Sequence, residues 1–328
     1  VSRPKVRAAE AVDREALVAF LAGFPGETRS ADSWRARLRH FWEENPISGP
    51  WGWALERADG TIGGFRGLIP YAFWLDGAAV HGVSGTTWRI AEDCRGWETA
   101  LLLQHRRLKL AGPLVATTPA KHVRPIIERL GYTPLAPQGL RRLSVVPMAP
   151  LAARAWLKPL ARLVARVPRP GFGWRAAQAR AVGFGALWQR TANLAGFTRS
   201  RDTDSARWFV GERPLLVLGP LDDPQAYAVF EPGTLRGAPI LRLMDYWPPP
   251  TDPAPVRRLI AALLADPFGG QYAAALLHHP SPAFTEALSG LPVPTRAVEP
   301  PGMYALALGQ PLPEAGRWFT LGEGDHNR

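Results

Sequence analysis

The chain has 328 residues, 46% hydrophobic and 20% charged, the composition of a globular protein long enough for two ordinary domains. No apolar run approaches the roughly 20 residues that span a bilayer, and the single cysteine, Cys94, excludes an internal disulfide and fits a reducing compartment. The net charge of +11 admits anionic partners, but it is nearly all arginine, with lysine only at Lys5, Lys109, Lys121 and Lys158, and no Gly-Arg repeat or zinc-finger spacing accompanies it. The opening VSRPKVRAAEAVD lacks the apolar stretch of a secretory signal, so a bacterial-type, cytoplasmic protein is expected.

In chain order, Pro4–Ala11 predicts a strand, followed by helices near Asp13–Phe24 and Ala31–Glu44. In the second helix Trp34, Leu38, Phe41 and Trp42 recur at helical spacing and mark a core face. Asn45-Pro46 stops it, since the residue before proline is driven out of helical geometry. Alternating segments Trp51–Arg57 and Ile62–Leu75 are joined by Asp59-Gly60, a hairpin signal, and Asp76-Gly77 turns the chain into a long strand ending at Ile90. Trp97–Leu110 predicts a helix, with a strand at Leu114–Thr117, a helix at Pro119–Leu130 and a strand near Leu140–Val146 beyond it. A helix over Ala149–Val167 carries Arg154, Lys158, Arg162 and Arg166 four apart and an apolar face of Leu151, Leu160, Leu163 and Val164. Such a stripe packs on a domain or lies on an anionic membrane. Pro168–Gly173 breaks the chain. The second half repeats the pattern in worn form: strands at Leu215–Gly219, Ala226–Phe230 and Ile240–Tyr246, a helix at Ala254–Ala265, a strand at Tyr272–Leu277, a helix at Pro282–Leu288 and a strand at Met303–Leu308.

The most informative segment is IAEDCRGWETA, Ile90–Ala100, which joins a strand to a helix through Gly96. The first N–H groups of a helix have no partner within it and carry partial positive charge, so this turn can cradle an anion, with Arg95 adding a charge-assisted contact. Other constellations fail: His278 and His279 are adjacent on a strand and point to opposite faces, and there is no zinc spacing, Walker loop or nucleophile elbow, so no metal site is expected.

IAEDCRG resembles the V-x-P-E-x-R-G stretch that opens the acyl-CoA site of the GNAT superfamily of N-acyltransferases, and Pro125–Tyr132 (PIIERLGY) resembles that family's helix ending in L-G-F/Y. The family loop R/Q-x-x-G-x-G/A, whose amides hold the pyrophosphate of coenzyme A, reads here Arg95, Gly96, Trp97, Glu98, Thr99, Ala100. Arg95 and Ala100 match; Glu98 replaces the central glycine, and its carboxylate repels a phosphate unless it points away. The resemblance implies an α+β fold of two tandem GNAT-like domains, each a mixed, mostly antiparallel sheet flanked by helices: residues 1–148 with the acyl-CoA site, a connector at 149–173, and a degenerate domain at 174–328. That second domain lacks an Arg-Gly loop, since WPPPTDP precedes its helix and proline has no N–H to offer.

The resemblance further implies acetyl-CoA or another acyl-CoA as cofactor, contacted by Trp88, Arg89 and Ile90 along the strand and by residues 95–100 at the turn. Polarisation of the acyl carbonyl falls to backbone N–H groups near Trp88–Ile90. For proton transfer His81 is the key strand's only titratable base, while Tyr71 and Tyr132 are the hydroxyls nearest the expected cleft; each also fits an ordinary structural role. The family's usual tyrosine falls on Ile127 and its asparagine on Ala120. The expected acceptor is a small amine or amino-sugar. The alternatives are an aminoacyl-tRNA-dependent transferase of the Fem type, which pairs two such domains, and a non-catalytic binding protein.

Overall fold

The computed structural model describes residues 3–108, 110, 112–117, 119–135, 141–148, 173–279, 281–289, 291, 293–298, 303–307, 311–313 and 316–320. The helix expected over Ala149–Val167, with its membrane reading, and the tail beyond 320 lie outside them. Two compact units are present: Val1–Leu135 with Pro301–Pro313 and Gly324–Arg328, and Ala136–Pro300 with Glu314–Glu323. Each holds one mixed sheet with helices, the expected two-domain α+β fold. No helix among the described residues is long and apolar enough to cross a membrane.

In the first unit β1 (Lys5–Ala8) leads into helices α1 (Arg14–Ala22) and α2 (Ala31–Leu38). The Ser30 hydroxyl caps α2 by accepting from the Ser33 amide at 3.2 Å. The expected Ala31–Glu44 helix changes at Leu38 into a π-turn, Arg39–Glu43, which delivers Phe41 and Trp42 to the core. The Trp42 ring stacks on Trp51 at 5.3 Å. Strands β2 (Gly52–Glu56), β3 (Ile62–Leu75) and β4 (Ala78–Ile90) then run antiparallel. Asp76 and Gly77 both take positive φ, 47° and 89°, as a two-residue primed turn requires, so the β3–β4 register follows from the Asp-Gly pair. After β4 come helix α3 (Glu98–Leu103), strand β5 (Leu114–Ala116), helix α4 (Arg124–Arg129) and the two-residue β6 (Thr133–Pro134). The long helices expected at Trp97–Leu110 and Pro119–Leu130 are each only six residues. A 3-10 turn takes over at Gln104, and Arg124 opens the second because Pro125 sits where a helix tolerates proline, its first turn.

The sheet of this unit runs β1-β2-β3-β4-β5-β15-β6, where β15 is Tyr304–Leu306 from the far end of the chain. The second sheet, seven strands, runs β14-β7-β13-β12-β11-β10-β8. Its members are β7 (Arg141–Pro147), β8 (Trp174–Ala177), β10 (Leu215–Leu218), β11 (Ala226–Leu235), β12 (Ala238–Trp247), β13 (Ala274–His279) and β14 (Thr295–Val298); the short β9 is Phe197–Arg199. The strand expected to close the first domain, β7, instead pairs with β13 and β14, and β15, expected in the second half, lies beside β5. The compact units accordingly divide after Leu135 rather than at 148. Both β5 and β13 would otherwise expose an unpaired edge, and any short apolar strand can cover either one. The pattern within a strand does not say which.

The two units repeat one device. In each, an antiparallel pair (β3–β4, β11–β12) is followed by a parallel neighbour (β5, β13) that pairs over only three residues, and the antiparallel pair breaks register near that point. The breaks lie at Arg66/Gly67 opposite Thr87, and at Val229/Phe230 opposite Met244.

Candidate active site

The first unit's β4 and β5 pair only from Val83–Gly85 to Leu114–Ala116 and then part. Just past the fork, Gly67 pairs with Thr86 and Arg66 with Trp88, so Thr87 is the extra residue of a β-bulge, with φ 41°. A β-branched residue rarely adopts that geometry, and it marks a strand bent out of its ladder. The bulge opens the floor of a cleft of about 760 Å³.

Strand alternation assigns the cleft two sides. Arg66 pairs with Trp88, and the Arg66 guanidinium donates to the Leu102 carbonyl of α3 at 3.0 Å and the Tyr132 hydroxyl at 2.9 Å. That side, with Glu98, Thr99, Ala120, Val123 and Ile126, faces α3 and α4. Arg89 pairs instead with Phe65, whose ring lies 6.3 Å from Trp42. The Arg89 guanidinium sits 5.3 Å over the Phe24 ring and 3.8 Å from Glu27. With Arg29 and Trp34 it forms the α1–α2 side.

Four arginines (29, 66, 89 and 95) and one carboxylate (Glu98) line the cleft. Its walls also hold polar atoms with no hydrogen-bond partner: the Thr117 hydroxyl, 2% exposed, and the indole N–H groups of Trp34 and Trp88. Buried donors without partners are uncommon, so these suit a ligand that brings acceptors, and the arginines suit an anionic one. Glu27 is not such an acceptor. Burial pushes its carboxyl up, but the Arg29 and Thr28 amides and the Arg29 and Arg89 charges outweigh that and hold it below its usual range.

The anion turn is half filled by the protein itself. Gly96 adopts φ 94°, and its N–H donates to Glu98 Oε2 at 2.7 Å. The Trp97 N–H donates to the Cys94 carbonyl at 3.3 Å. The N–H groups of Glu98, Thr99 and Ala100 open the helix, where no carbonyl of the preceding turn reaches them. Asp93, just before the turn, forms a two-pronged ion pair with Arg57 at 2.7 and 2.9 Å. That pair ties the turn to the β2–β3 hairpin. So does Gly63, where a Cβ would fall 2.5 Å from Cys94 Sγ.

Of the residues expected to contact a cofactor, Trp88, Arg89, Ile90, Arg95, Glu98 and Thr99 line the cleft; Gly96, Trp97 and Ala100 are not among its lining residues. None of the expected proton-transfer residues lines it. His81 is exposed on the β4 segment paired with Ala72, six residues before the bulge, on the order of 20 Å along an extended strand. Tyr71 is buried on β3 opposite Gly82. Tyr132 is buried with its hydroxyl engaged by Arg66. Sequence reasoning missed Arg29, Trp34, Arg66, Thr117 and His122, all in the lining. A signal existed only for Arg66, a charge inside the otherwise apolar IGGFRGLIPYAFWL.

In the second unit the matching helix, Pro253–Leu264, has its first turn closed by Asp252, whose side chain accepts from the Ala254 amide at 2.8 Å. Past the Met244 bulge the Tyr246 carbonyl accepts from the Trp318 indole at 3.2 Å, and the Tyr246 ring packs 5.2 Å from Phe284. Among the described residues no group of three or more His, Cys, Asp or Glu is placed to hold a metal ion.

No family model matches the chain, and no curated protein matches it in sequence. Solved structures do. A GCN5-related N-acetyltransferase from Anabaena variabilis is similar over 93% of this chain and 73% of its own, with TM-score 0.61 and 16% identity. A probable N-acyltransferase from Enterococcus faecalis is similar over 94% and 73%, with TM-score 0.61 and 8% identity. Saccharomyces cerevisiae N-myristoyltransferase with bound myristoyl-CoA is similar over 94% and 79%, with TM-score 0.54 and 11% identity. A likeness at such identities is one of architecture, and by it this chain, across both of its units, has the fold of these N-acyltransferase structures.

Proposed function

We propose that the protein is an acyl-CoA-dependent N-acyltransferase that works in its first unit, passing an acetyl or longer acyl group to a small amine. The observation that carries this reading is the bulged fork at Thr87, opening into a cleft rich in cationic and unpartnered donors. Arg95, Thr99 and the amides that open α3 would hold the diphosphate, and the Trp88–Ile90 backbone the pantetheine arm. Acyl-CoA supplies an activated thioester carbonyl. Thr87 has no register partner in β3, and pairing to β5 has stopped at Gly85, so in this reading main-chain N–H groups at the bulge donate to the carbonyl oxygen as negative charge grows there. His122 brings an imidazole to the cleft and is the residue to take the amine's proton. The second unit, its helix start closed by Asp252, serves as support rather than a second cofactor site.

Calorimetry with CoA and acetyl-CoA, joined to release of free CoA thiol in the presence of amines, tests the reading. Binding in the micromolar range with amine-dependent thiol release is the expected result; no heat at millimolar CoA and no thiol release would discard it. A second reading, aminoacyl-tRNA-dependent transfer, draws on one observation: the Glu98 carboxylate occupies the Gly96 amide. Retardation of tRNA in a gel, with no response to CoA, would favour it.

A further inference from the structure

Arg66 brings a buried charge to the cleft. It lines the wall at 5% exposure, and its guanidinium donates to two neutral acceptors, the Leu102 carbonyl at 3.0 Å and the Tyr132 hydroxyl at 2.9 Å. Among the described residues no ion pair joins it to a carboxylate. Holding a guanidinium out of water without a counter-charge is costly. The second unit's buried arginines follow that rule, since Arg199 and Arg201 face Asp245 at 3.6 and 2.9 Å. The two bonds of Arg66 aim its side chain without neutralising it.

That charge borders the fork. Gly85 is the last β4 residue paired with β5, and it too lines the cleft. Gly85 pairs with Leu68 and Trp88 with Arg66, so strand alternation puts Gly85 and Arg66 on one face of the sheet. Apart from its chain neighbours, a Cβ added at Gly85 would meet the Val115 carbonyl oxygen at 3.6 Å and Arg66 Nη2 at 3.9 Å. Those are ordinary contact distances, so there is room beside that nitrogen for a further group.

We propose that the acyl group carries a carboxylate at its far end, as in the CoA thioesters of short dicarboxylic acids, and that Arg66 binds this carboxylate at the fork. The inference rests on the acyltransferase reading, which lays the cofactor along β4 with its diphosphate at residues 95–100 and its carbonyl at the Thr87 bulge. The acyl chain then continues toward Gly85, two residues back and about 7 Å along an extended strand, within reach of a short dicarboxylic chain. A carboxylate there gives Arg66 its missing counter-charge through charge-assisted hydrogen bonds. An acetyl or alkyl chain leaves that charge uncompensated. The carboxylate takes no part in the transfer. The amine nitrogen bonds to the thioester carbonyl carbon, the C–S bond breaks, and the departing thiolate ends as CoA thiol with the proton the amine gives up.

The test is equilibrium binding to the full chain, which needs no acceptor. Calorimetry compares malonyl- with propionyl-CoA, succinyl- with butyryl-CoA and glutaryl- with pentanoyl-CoA, alongside free CoA. The carboxylated member of at least one pair should bind about tenfold more tightly or better, and the pair with the largest ratio gives the chain length. Arg66→Met should cut that ratio by about fivefold or more, and Arg66→Lys, which keeps a charge, by less. Gly85→Ala keeps the guanidinium, fills the room beside it and should also lower the ratio. Because the readout is a ratio within a pair, any loss of affinity common to both members cancels. Equal binding within every pair would overturn the inference while leaving acyl-CoA binding intact. So would a ratio unchanged by Arg66→Met, or by Gly85→Ala where melting shows that the Met variant does not fold. Failure of CoA and of every ester to bind would overturn the acyltransferase reading, and this inference with it.

Discussion

Glu98 is the residue on which cofactor binding should turn, and its effect can be worked from one contact. The Gly96 N–H that a diphosphate would use donates to Glu98 Oε2 at 2.7 Å. A ligand reaching that amide must displace the carboxylate, at a net cost of about 1 kcal/mol for a hydrogen bond in a wet turn. The displaced charge remains nearby: at ~6 Å in a water-like dielectric it opposes the nearest unit of phosphate charge by about 0.7 kcal/mol. The sum, ~1.7 kcal/mol, is about 15- to 20-fold in affinity. Glu98→Gln removes the charge and keeps an acceptor oxygen, so it should tighten CoA binding by roughly threefold. Glu98→Ala removes both effects and should approach the full factor. Calorimetric titration of CoA at 50 mM and 300 mM salt is the assay, and the advantage of Gln should shrink at high salt as the charge is screened. Unchanged or weaker binding in both variants, with melting temperatures near the parent, would show that the diphosphate does not use this turn.

Tyr132→Phe takes an acceptor from the buried Arg66 guanidinium and should lower stability by about 1.5–3 kcal/mol in denaturant melts. It should leave kcat within about twofold, since a step that needed this hydroxyl as proton donor would lose roughly a hundredfold. His122→Gln should lower kcat/KM on the order of a hundredfold; an unchanged kcat/KM would return the proton to solvent. In the second unit Asp245, fully buried, pairs two-pronged with Arg201 at 2.9 Å and accepts from Tyr227 at 3.1 Å and Thr320 at 3.0 Å. Burial pushes its carboxyl up, but Arg201, then Arg199 and Thr320, outweigh burial and hold it below the usual value. A carboxyl depressed in the folded state stabilises above its unfolded pKa, so this contribution is complete above about pH 4 and is lost as pH falls through the folded value. Asp245→Asn, which strands the arginines, should cost about 3–5 kcal/mol at neutral pH and blunt the acid dependence, read by melts from pH 2 to 7.

The Arg95-Gly96 turn was legible because it is local: a glycine at φ 94° and a helix start follow each other in the chain. The β3–β4 register was legible for the same reason, since Asp76-Gly77 needs no distant partner to make its turn. Residue type alone points to His81, Tyr71 and Tyr132, but the register of β3 and β4 places the first two outside the cleft lining and the Arg66 guanidinium engages the third. His122 and Thr117 had no periodicity to announce them, being loop residues brought to the cleft by where β5 ends.

Hydrophobic alternation, turn residues and caps act over a few neighbours, so the order of strands and helices, both glycine-bearing turns and the likeness to the acyltransferase architecture could be read along the chain. Which strand covers the free edge of each sheet, where β4 bulges, and that Glu98 folds back on Gly96 depend on residues tens to hundreds of positions apart meeting in three dimensions. Those contacts are competitions between near-equal partners. The assembled sheet chooses the winner because only there do edge, cation and carboxylate come within reach.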